Sequence, residues 1–337
     1  MAQARPRPRV WVSQPLFDDI VGQLALHCDL DPTAEVTTHS PARIAAALSE
    51  ADGAVVTLNE RIGAAELGAA PRLRVIANVG VGYDNLDIPA LDAAGIVATN
   101  TPDVLTETTA DLGFALLMAA ARRISESERW LREGRWGSWS FSTLLGADVH
   151  GSTLGILGMG RIGQAIARRG YHGFGMRVLY HNRSRLPEAV EREHGARWVG
   201  FDALLAQSDH LVLALPVSPA SRHLVDAAAL ARMKPTATLV NIARGGLVDE
   251  LALADALANG RLAAAGLDVY EGEPTVRPEL LALRNVVLTP HIGSASLATR
   301  RAMVQLAVDN LQAALGFGPH AGHPPNPVTA KKTTPVV

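Results

Sequence analysis

Three glycines, Gly158, Gly160 and Gly163, form the spacing GxGxxG between two regular segments. Thr153–Leu157 is typical of a buried strand, and Gln164–Arg169 is typical of a helix. In that order the first glycine permits a tight turn, the second lets backbone N–H groups approach a phosphate, and the third lets helix and strand pack closely. The anion then lies at the positive end of the helix. The spacing predicts a dinucleotide site, although glycine-rich turns also occur as simple connections.

The residues after the next predicted strand indicate which dinucleotide binds. An NAD site usually places an Asp or Glu about 20 residues further on, where it binds the ribose hydroxyls. Here no acidic residue occurs between Gly163 and Glu188, and the predicted strand Arg177–Tyr180 is followed by HNRSR. Guanidinium and hydroxyl groups can bind a 2′-phosphate, which a carboxylate would repel. The sequence therefore favours NADP(H), with a solvated basic loop as the alternative. The predicted contacts are Asn182, Arg183, Ser184 and Arg185.

Three dispersed residues, Arg244, Glu273 and His291, carry the side chains that reduction of a ketone requires. A histidine has an ordinary pKa near ~6.5 and can donate a proton at neutral pH. A neighbouring carboxylate favours its charged form and fixes the ring. An arginine binds a carboxylate at two points and polarises the adjacent carbonyl. Together they predict a 2-oxo acid substrate. Taken singly, His291 also suits a cap of the helix near Ser294, Glu273 an exposed turn and Arg244 a surface loop.

These three residues each come soon after a strand-like run, and ligands of open parallel sheets bind beyond the carboxyl ends of strands. They can therefore converge although they are far apart in the sequence. A second glycine-bearing turn, Asn78–Asp84, follows another predicted strand and can present backbone N–H groups to an anion. We expect the substrate carboxylate at this turn, with a simple tight turn as the alternative.

Strand-like runs alternate with Ala-rich helical runs, which predicts α/β domains with parallel sheets. The predicted strands are Arg9–Ser13, Gly53–Leu58, Leu73–Val79, Ile96–Thr99, Thr153–Leu157, Arg177–Tyr180, His210–Leu215, Thr238–Ile242, Ala263–Asp268 and Val286–Leu288. The predicted helices include Ile44–Ser49, a long helix from Asp103 to Ile124, and Leu297–Leu315. The end of the chain, Gly318–Val337, is rich in Pro, Gly and Thr and is predicted to be irregular.

The expected fold class is α/β, with two doubly wound parallel-sheet domains (Rossmann-like and flavodoxin-like) and the active site in the cleft between them. Residues 1–101 plus 294–337 are predicted to form a discontinuous substrate-binding domain. Residues 102–293 are predicted to form an NADP-binding Rossmann domain.

Composition excludes several classes of partner. The 337 residues are 48% hydrophobic with a formal net charge of −2, so there is no general attraction to nucleic acid or to an anionic membrane. No apolar run is long enough to span a bilayer. The only cysteine, Cys28, rules out an internal disulfide and fits a reducing cytoplasm. We expect a cytoplasmic protein without a metal site, preceded by a solvated Arg/Pro-rich leader, Met1–Arg9.

Six motifs in order resemble those of the D-isomer-specific 2-hydroxyacid dehydrogenases, over nearly the whole chain. They are Asn78–Asp84 (NVGVGYD), Thr101–Thr106 (TPDVLT), Gly158–Gly163 (GMGRIG), Asn241–Gly245 (NIARG), Gly266–Pro274 (GLDVYEGEP) and Thr289–Gly293 (TPHIG). Within the family the chain looks most like the glyoxylate/hydroxypyruvate reductases, through His181–Arg185 (HNRSR) and Pro324–Val328 (PPNPV).

The resemblance implies a role for each candidate. His291 would be the acid/base, Glu273 its partner and Arg244 the substrate clamp, while the Val79 and Gly80 N–H groups would bind the substrate carboxylate. Asp268 would meet the nicotinamide carboxamide. The other implied cofactor contacts are Thr106, Arg161, Ile162, Pro216, Ala243, His291 and Gly293.

The resemblance also implies a homodimer built around the nucleotide-binding domains, consistent with the apolar run Asp111–Ala121. In similar reductases a tryptophan before the glycine motif reaches toward the partner's active site. Trp139 is the candidate for that specificity residue, and a packing aromatic is the alternative.

The activity expected from these features is NADPH-dependent reduction of small 2-oxo acids, such as glyoxylate and hydroxypyruvate, to D-2-hydroxy acids. Two alternatives stay open: a dehydrogenase for a bulkier D-2-hydroxy acid, and an NAD(P)-sensing, corepressor-like binding protein on the same scaffold. Formate and phosphite dehydrogenases share the scaffold, but their additional active-site features are not recognised in this sequence.

Overall fold

The computed structural model describes residues 6–36, 38–68 and 70–330, and the chain divides into two compact units. One unit comprises the chain up to Leu105 together with the chain from Ala295 onward. The other unit is Thr106–Ser294. The first unit is therefore discontinuous, because the chain leaves it, builds the second unit and returns.

The first unit contains a parallel sheet of five strands. They are β1 (Arg9–Val12), β2 (Asp29–Pro32), β3 (Gly53–Val56), β4 (Val75–Asn78) and β5 (Val97–Thr99), arranged in the order β2-β1-β3-β4-β5. Its α-helices, in the chain-wide numbering, are α1 (Asp18–Val21), α2 (Pro41–Glu50), α3 (Ala64–Leu67), α4 (Ile88–Ala94) and α13 (Leu297–Leu315).

Both faces of the middle of this sheet are covered, which is why β1, β3 and β4 are apolar at consecutive positions. In β1, Val10 and Val12 lie on one face and pack in the same core as Leu311 of α13. Trp11 points to the opposite face, where it packs in the same core as Leu48 of α2.

The second unit contains a parallel sheet of seven strands. They are β6 (Thr153–Leu157), β7 (Arg177–His181), β8 (Ala196–Trp198), β9 (His210–Leu213), β10 (Thr238–Asn241), β11 (Ala264–Leu267) and β12 (Val286–Leu288). Its α-helices are α5 (Thr106–Ala121), α6 (Ile124–Arg132), α7 (Arg161–Arg168), α8 (Glu188–Glu193), α9 (Phe201–Gln207), α10 (Ala227–Arg232), α11 (Glu250–Ala258) and α12 (Pro278–Leu281).

The strand order of this sheet, β12-β11-β10-β9-β6-β7-β8, defines where a ligand can bind. The chain starts in the middle at β6, proceeds to one edge through β7 and β8, and then crosses to β9 and the other edge. Doubly wound sheets bind ligands beyond the carboxyl ends of the strands at this reversal. The predicted α/β class with parallel sheets is confirmed.

Several predicted elements differ from those observed. The helix predicted from Asp103 to Ile124 corresponds to α5, which is shorter at both ends. Helix α6 was not predicted, and Arg123, just before it, has a left-handed conformation with φ of 54°. Strands β2 and β8 were not predicted, since neither contains an apolar run: their sequences are DLDP and ARW.

The described part of the predicted tail, residues 318–330, contains no helix or strand but is attached to β5. Val328 N–H donates to the main-chain oxygen of Ala98 at 2.8 Å, and Ala98 N–H donates to Thr329 Oγ1 at 3.1 Å. The remainder of that tail and residues 1–5 of the predicted leader lie outside the described residues. Within those described, no helix has the length and apolarity needed to cross a bilayer.

Candidate active site

His291 and Glu273 form a hydrogen-bonded pair in the second unit. Nδ1 of His291 lies 2.8 Å from Oε2 of Glu273, and Oε1 of the same carboxylate accepts a hydrogen bond from the Tyr270 N–H at 2.9 Å. The side chains of His291 and Glu273 are 26% and 25% exposed. An ionised carboxylate only accepts hydrogen bonds, so Nδ1 is the donor. Nε2 is therefore the ring atom left to exchange a proton with a ligand.

The charge of Glu273 is favoured by its surroundings. Partial burial opposes ionisation, but the hydrogen bond from His291 and the positive charges of His291 and Arg244 outweigh it and lower the pKa of Glu273. The carboxylate is thus ionised at neutral pH. An anion beside an imidazole favours the protonated ring, which is the form that can donate a proton.

Asp268, at the end of β11, holds the backbone that carries His291. Its Oδ1 accepts hydrogen bonds from Thr289 Oγ1 at 2.7 Å and from Ile292 N–H at 2.8 Å, while Oδ2 accepts from Gly293 N–H at 2.8 Å. The His291 N–H donates to the main-chain oxygen of Asp268 at 2.9 Å. These bonds fix His291 at a φ of 53°, a left-handed conformation that costs about 1–3 kcal/mol for a residue other than glycine.

The role of Asp268 in holding the His291 loop by hydrogen bonds was not predicted from the sequence, where the family resemblance implied only a cofactor contact. Burial raises the pKa of Asp268, and its hydrogen bonds offset only part of that effect. The sequence signal for this role is an acidic residue directly after one strand, β11, when the loop after the neighbouring strand, β12, carries the candidate histidine.

Arg244 lies in the turn after β10, and this turn is fixed at two points. Asn241 accepts the Ala243 N–H on Oδ1 at 3.1 Å and donates from Nδ2 to the main-chain oxygen of Arg244 at 2.9 Å. A Cβ on Gly245 would lie 1.9 Å from the carbonyl carbon of Tyr270, so only glycine allows this close approach. The structure therefore brings the three predicted catalytic side chains to one edge of the sheet, beyond β10, β11 and β12.

The three glycines after β6 have different surroundings. Gly158 has a φ of 100°, and a Cβ there would lie 2.6 Å from the Ala214 oxygen. A Cβ on Gly163 would lie 2.3 Å from the Gly158 oxygen, whereas a Cβ on Gly160 would meet nothing within 4 Å. Gly160 thus leaves open space before α7, a helix whose start has no side-chain cap. Open space next to uncapped N–H groups fits the diphosphate of a dinucleotide.

The loop after β7 carries the predicted 2′-phosphate residues, which differ in their hydrogen bonding. Asn182 Oδ1 accepts a backbone N–H of the glycine turn at 2.7 Å. Arg183 and Ser184 are exposed, and their side chains bond to none of the residues described. Arg185 is paired with Glu191 through two hydrogen bonds. This carboxylate was missed in the sequence because it lies six residues further on, in α8.

The predicted carboxylate-binding turn belongs to the first unit. Val79 N–H donates to the Val56 oxygen at 2.8 Å, which continues the β3–β4 hydrogen bonding by one residue, and Gly80 N–H donates to the Asn78 oxygen at 3.0 Å. The buried Asn78 side chain donates to the Gly82 oxygen at 2.9 Å. Both predicted N–H donors already have backbone acceptors in this structure. A substrate carboxylate would have to replace those acceptors, so this contact stays a prediction.

The remaining predicted residues lie in the second unit. Trp139 is 69% exposed and meets Phe141 edge-to-face, with ring centroids 4.6 Å apart. The other predicted cofactor contacts lie at helix starts or shortly after strand ends: Thr106, Arg161, Ile162, Pro216, Ala243 and Gly293. Among the residues that the structure describes, no group of three or more His, Cys, Asp or Glu side chains is arranged to hold a metal ion.

Residues 114–293 match the family model of the D-isomer specific 2-hydroxyacid dehydrogenase NAD binding domain, which is more than half of the chain. The chain belongs to the D-isomer specific 2-hydroxyacid dehydrogenase family of oxidoreductases.

The relatives agree with this assignment. The chain is 45% identical over 309 residues to the glyoxylate reductase of Thermococcus kodakarensis, covering 90% of this chain and 92% of that protein. It is 44% identical over 310 residues to glyoxylate/hydroxypyruvate reductase B of Erwinia tasmaniensis, covering 92% and 96%. A solved structure, the NADPH-dependent glyoxylate/hydroxypyruvate reductase of Sinorhizobium meliloti in complex with NADP and malonate, matches with a TM-score of 0.85 at 36% identity, covering 98% of this chain and 99% of that chain. The resemblance read from the six motifs is confirmed.

Proposed function

We propose that this protein uses NADPH to reduce small 2-oxo acids, glyoxylate and hydroxypyruvate above all, to D-2-hydroxy acids. The observation that carries the proposal is the His291–Glu273 pair, 2.8 Å apart, on the same sheet edge as Arg244. The proposal of these substrates is supported by the relatives described as glyoxylate or glyoxylate/hydroxypyruvate reductases.

Each of the three side chains has a defined task in this reaction. Arg244 binds the substrate carboxylate and polarises the neighbouring carbonyl group. His291 donates the proton on Nε2 to the carbonyl oxygen as it becomes a hydroxyl. Glu273 holds the ring through Nδ1 and stabilises its positive charge until the proton leaves. The turn at Asn78–Gly80 adds N–H donors to the carboxylate once their present acceptors are replaced.

The cofactor, when bound, supplies the hydride. Gly160 and the start of α7 would receive its diphosphate, and Asp268 would meet the nicotinamide carboxamide. Arg183, Ser184 and Arg185 would bind the 2′-phosphate, with Asn182 beside the ribose. The preference for NADP(H) is supported by the lack of a carboxylate directly after β7 and by the relative solved with NADP.

The domain roles and the assembly belong to the same proposal. We assign substrate binding to residues 1–101 plus 294–337 and NADP binding to residues 102–293. We expect a homodimer in the cytoplasm, acting on small molecules and without nucleic acid, membrane or metal partners.

The test is to follow nicotinamide absorbance with purified protein, comparing NADPH and NADH at fixed glyoxylate and then at fixed hydroxypyruvate. Fast oxidation of NADPH with slow oxidation of NADH is expected, and chiral analysis of the glycerate formed is expected to give the D form. Fast turnover with NADH alone would refute the phosphate site. Turnover of bulkier 2-oxo acids only would show that glyoxylate and hydroxypyruvate are not the substrates. Tight cofactor binding without turnover of any 2-oxo acid would favour the corepressor-like alternative.

A further inference from the structure

A buried carboxylate that the proposed reaction does not use lies beneath the loop after β7. Glu191, in α8, is 6% exposed, and its Oε1 accepts a hydrogen bond from the hydroxyl of Tyr180 at 2.7 Å. Tyr180 is itself fully buried at the end of β7, and its oxygen accepts the Leu186 N–H at 2.8 Å. Hydrogen bonds therefore connect the loop to β7 before it and β7 to α8 after it.

The same carboxylate holds Arg185 from one side. Nε of Arg185 donates to Oε1 of Glu191 at 2.9 Å, and Nη2 donates to Oε2 at 2.6 Å. The side chain of Arg185 remains 64% exposed, whereas that of Glu191 is only 7% exposed. The hydrogen bonds from Arg185, assisted by that from Tyr180, outweigh burial and lower the pKa of Glu191 to about 2. The pair thus stays ionised at neutral pH.

This arrangement uses one edge of a planar guanidinium and leaves N–H groups on its other side exposed. A guanidinium can bind two anions on different edges, and a phosphate accepts hydrogen bonds in the same forked geometry as a carboxylate. Restraining a long side chain before a ligand arrives removes part of the ordering entropy that binding otherwise costs.

We propose that Glu191 is a positioning residue for cofactor selection, which fixes Arg185 so that its exposed edge binds the 2′-phosphate beside Arg183 and Ser184. The inference deepens the NADP(H) preference in the proposed function and rests on it. It predicts that Glu191 changes the affinity for the 2′-phosphate without touching the ligand.

The test uses two adenosine fragments, 2′,5′-ADP and 5′-AMP, whose dissociation constants are measured by calorimetry. Glu191→Ala is expected to weaken 2′,5′-ADP about tenfold, the scale of one charged hydrogen bond, and to change 5′-AMP less than twofold. Glu191→Gln keeps an acceptor for Tyr180 and should fall between Glu191→Ala and the unaltered protein. Glu193→Gln is the matched control, because Glu193 is an exposed glutamate at the end of the same helix and should change neither affinity.

A double variant separates positioning from a general effect on folding. If Glu191 acts through Arg185, then Glu191→Ala adds no further loss to Arg185→Ala. Equal weakening of both fragments would overturn the inference, since a disordered loop would affect both. Tighter binding of 2′,5′-ADP would overturn it too, by showing that the carboxylate neutralises Arg185.

The unaltered protein separates this inference from the proposed function. If it binds 2′,5′-ADP no tighter than 5′-AMP, the NADP(H) preference fails and the role of Glu191 fails with it. If it prefers 2′,5′-ADP and the preference survives Glu191→Ala, only the role of Glu191 is overturned.

Discussion

His291 is the group from which the proposed reaction takes its proton, so its replacement tests the chemistry directly. His291→Gln keeps a side chain of similar size that can still donate to Glu273, but glutamine cannot supply a proton. We expect turnover with glyoxylate to fall about 10²–10⁴-fold, the usual contribution of general acid catalysis. Cofactor affinity, measured by nicotinamide fluorescence, should stay near that of the unaltered protein. Unchanged turnover would remove His291 from the mechanism.

Glu273 should hold His291 in position for proton transfer. Its lowered pKa means that it is negative throughout the neutral range, so it accepts the hydrogen bond from Nδ1 of His291 as a charged group. Glu273→Gln keeps an oxygen at this position but removes its charge. We expect turnover with glyoxylate to fall about tenfold, the scale of one charge-assisted hydrogen bond, while the affinity for the cofactor stays unchanged.

The control for this change is Glu279→Gln, which removes an exposed charge in α12 six residues further along the chain. Its turnover should match that of the unaltered protein. If the turnover of Glu273→Gln matches it as well, Glu273 does not assist His291 in proton transfer.

The secondary-structure elements were predictable where the sequence has a clear apolar pattern. The bounds predicted for Thr153–Leu157, Val286–Leu288 and Leu297–Leu315 coincide with β6, β12 and α13. Helix α6 was not predicted, because its sequence, ISESERWLR, is mostly polar and none of its residues is buried. Strand β2 has the sequence DLDP, which contains no continuous apolar run, so it was not predicted.

The turn into α7 predicts opposite consequences for two glycines. Gly160→Ala adds a methyl group in open space, so the melting temperature should stay within about 1 °C. The same methyl group would, however, occupy the position proposed for the diphosphate. We expect its cofactor affinity to fall at least about tenfold, the effect of losing one good contact. Gly163→Ala places a Cβ 2.3 Å from the Gly158 oxygen and should lower stability by about 1–3 kcal/mol. Normal cofactor binding by Gly160→Ala would refute this position for the diphosphate.

The turn that carries Arg244 offers a similar pair of adjacent glycines. Gly245→Ala would force a Cβ into the backbone of Tyr270 and displace the segment leading to Glu273. We expect a loss of about 1–3 kcal/mol in the free energy of unfolding, together with lower turnover. Gly246→Ala is the control, since its nearest atoms would be 3.7 Å away. Equal melting temperatures and equal rates for the two variants would show that this close approach does not position the site.

Across the whole chain, the sequence indicated which residues meet but not how they are held. Parallel strands bring Arg244, Glu273 and His291 to one edge, and strand order alone is enough to predict that. The hydrogen bonds from Asp268 to the His291 loop, and the pairing of Arg185 with Glu191, depend on side-chain orientation across turns. Periodicity contains no information on such orientation.

The exposed aromatic residues before β6 predict a self-association that should be measurable. Trp139 and Phe141 are 69% and 87% exposed in a connection without helix or strand, and clustered exposed apolar groups mark interaction surfaces. We expect the protein to sediment as a dimer and the double variant Trp139→Asp, Phe141→Asp to sediment as a monomer, because two charges cannot be buried unpaired in an interface. Leu26→Asp changes an apolar residue that is 76% exposed elsewhere and should leave the dimer intact. If the unaltered protein sediments as a monomer, or the double variant stays dimeric, a second copy does not cover this segment.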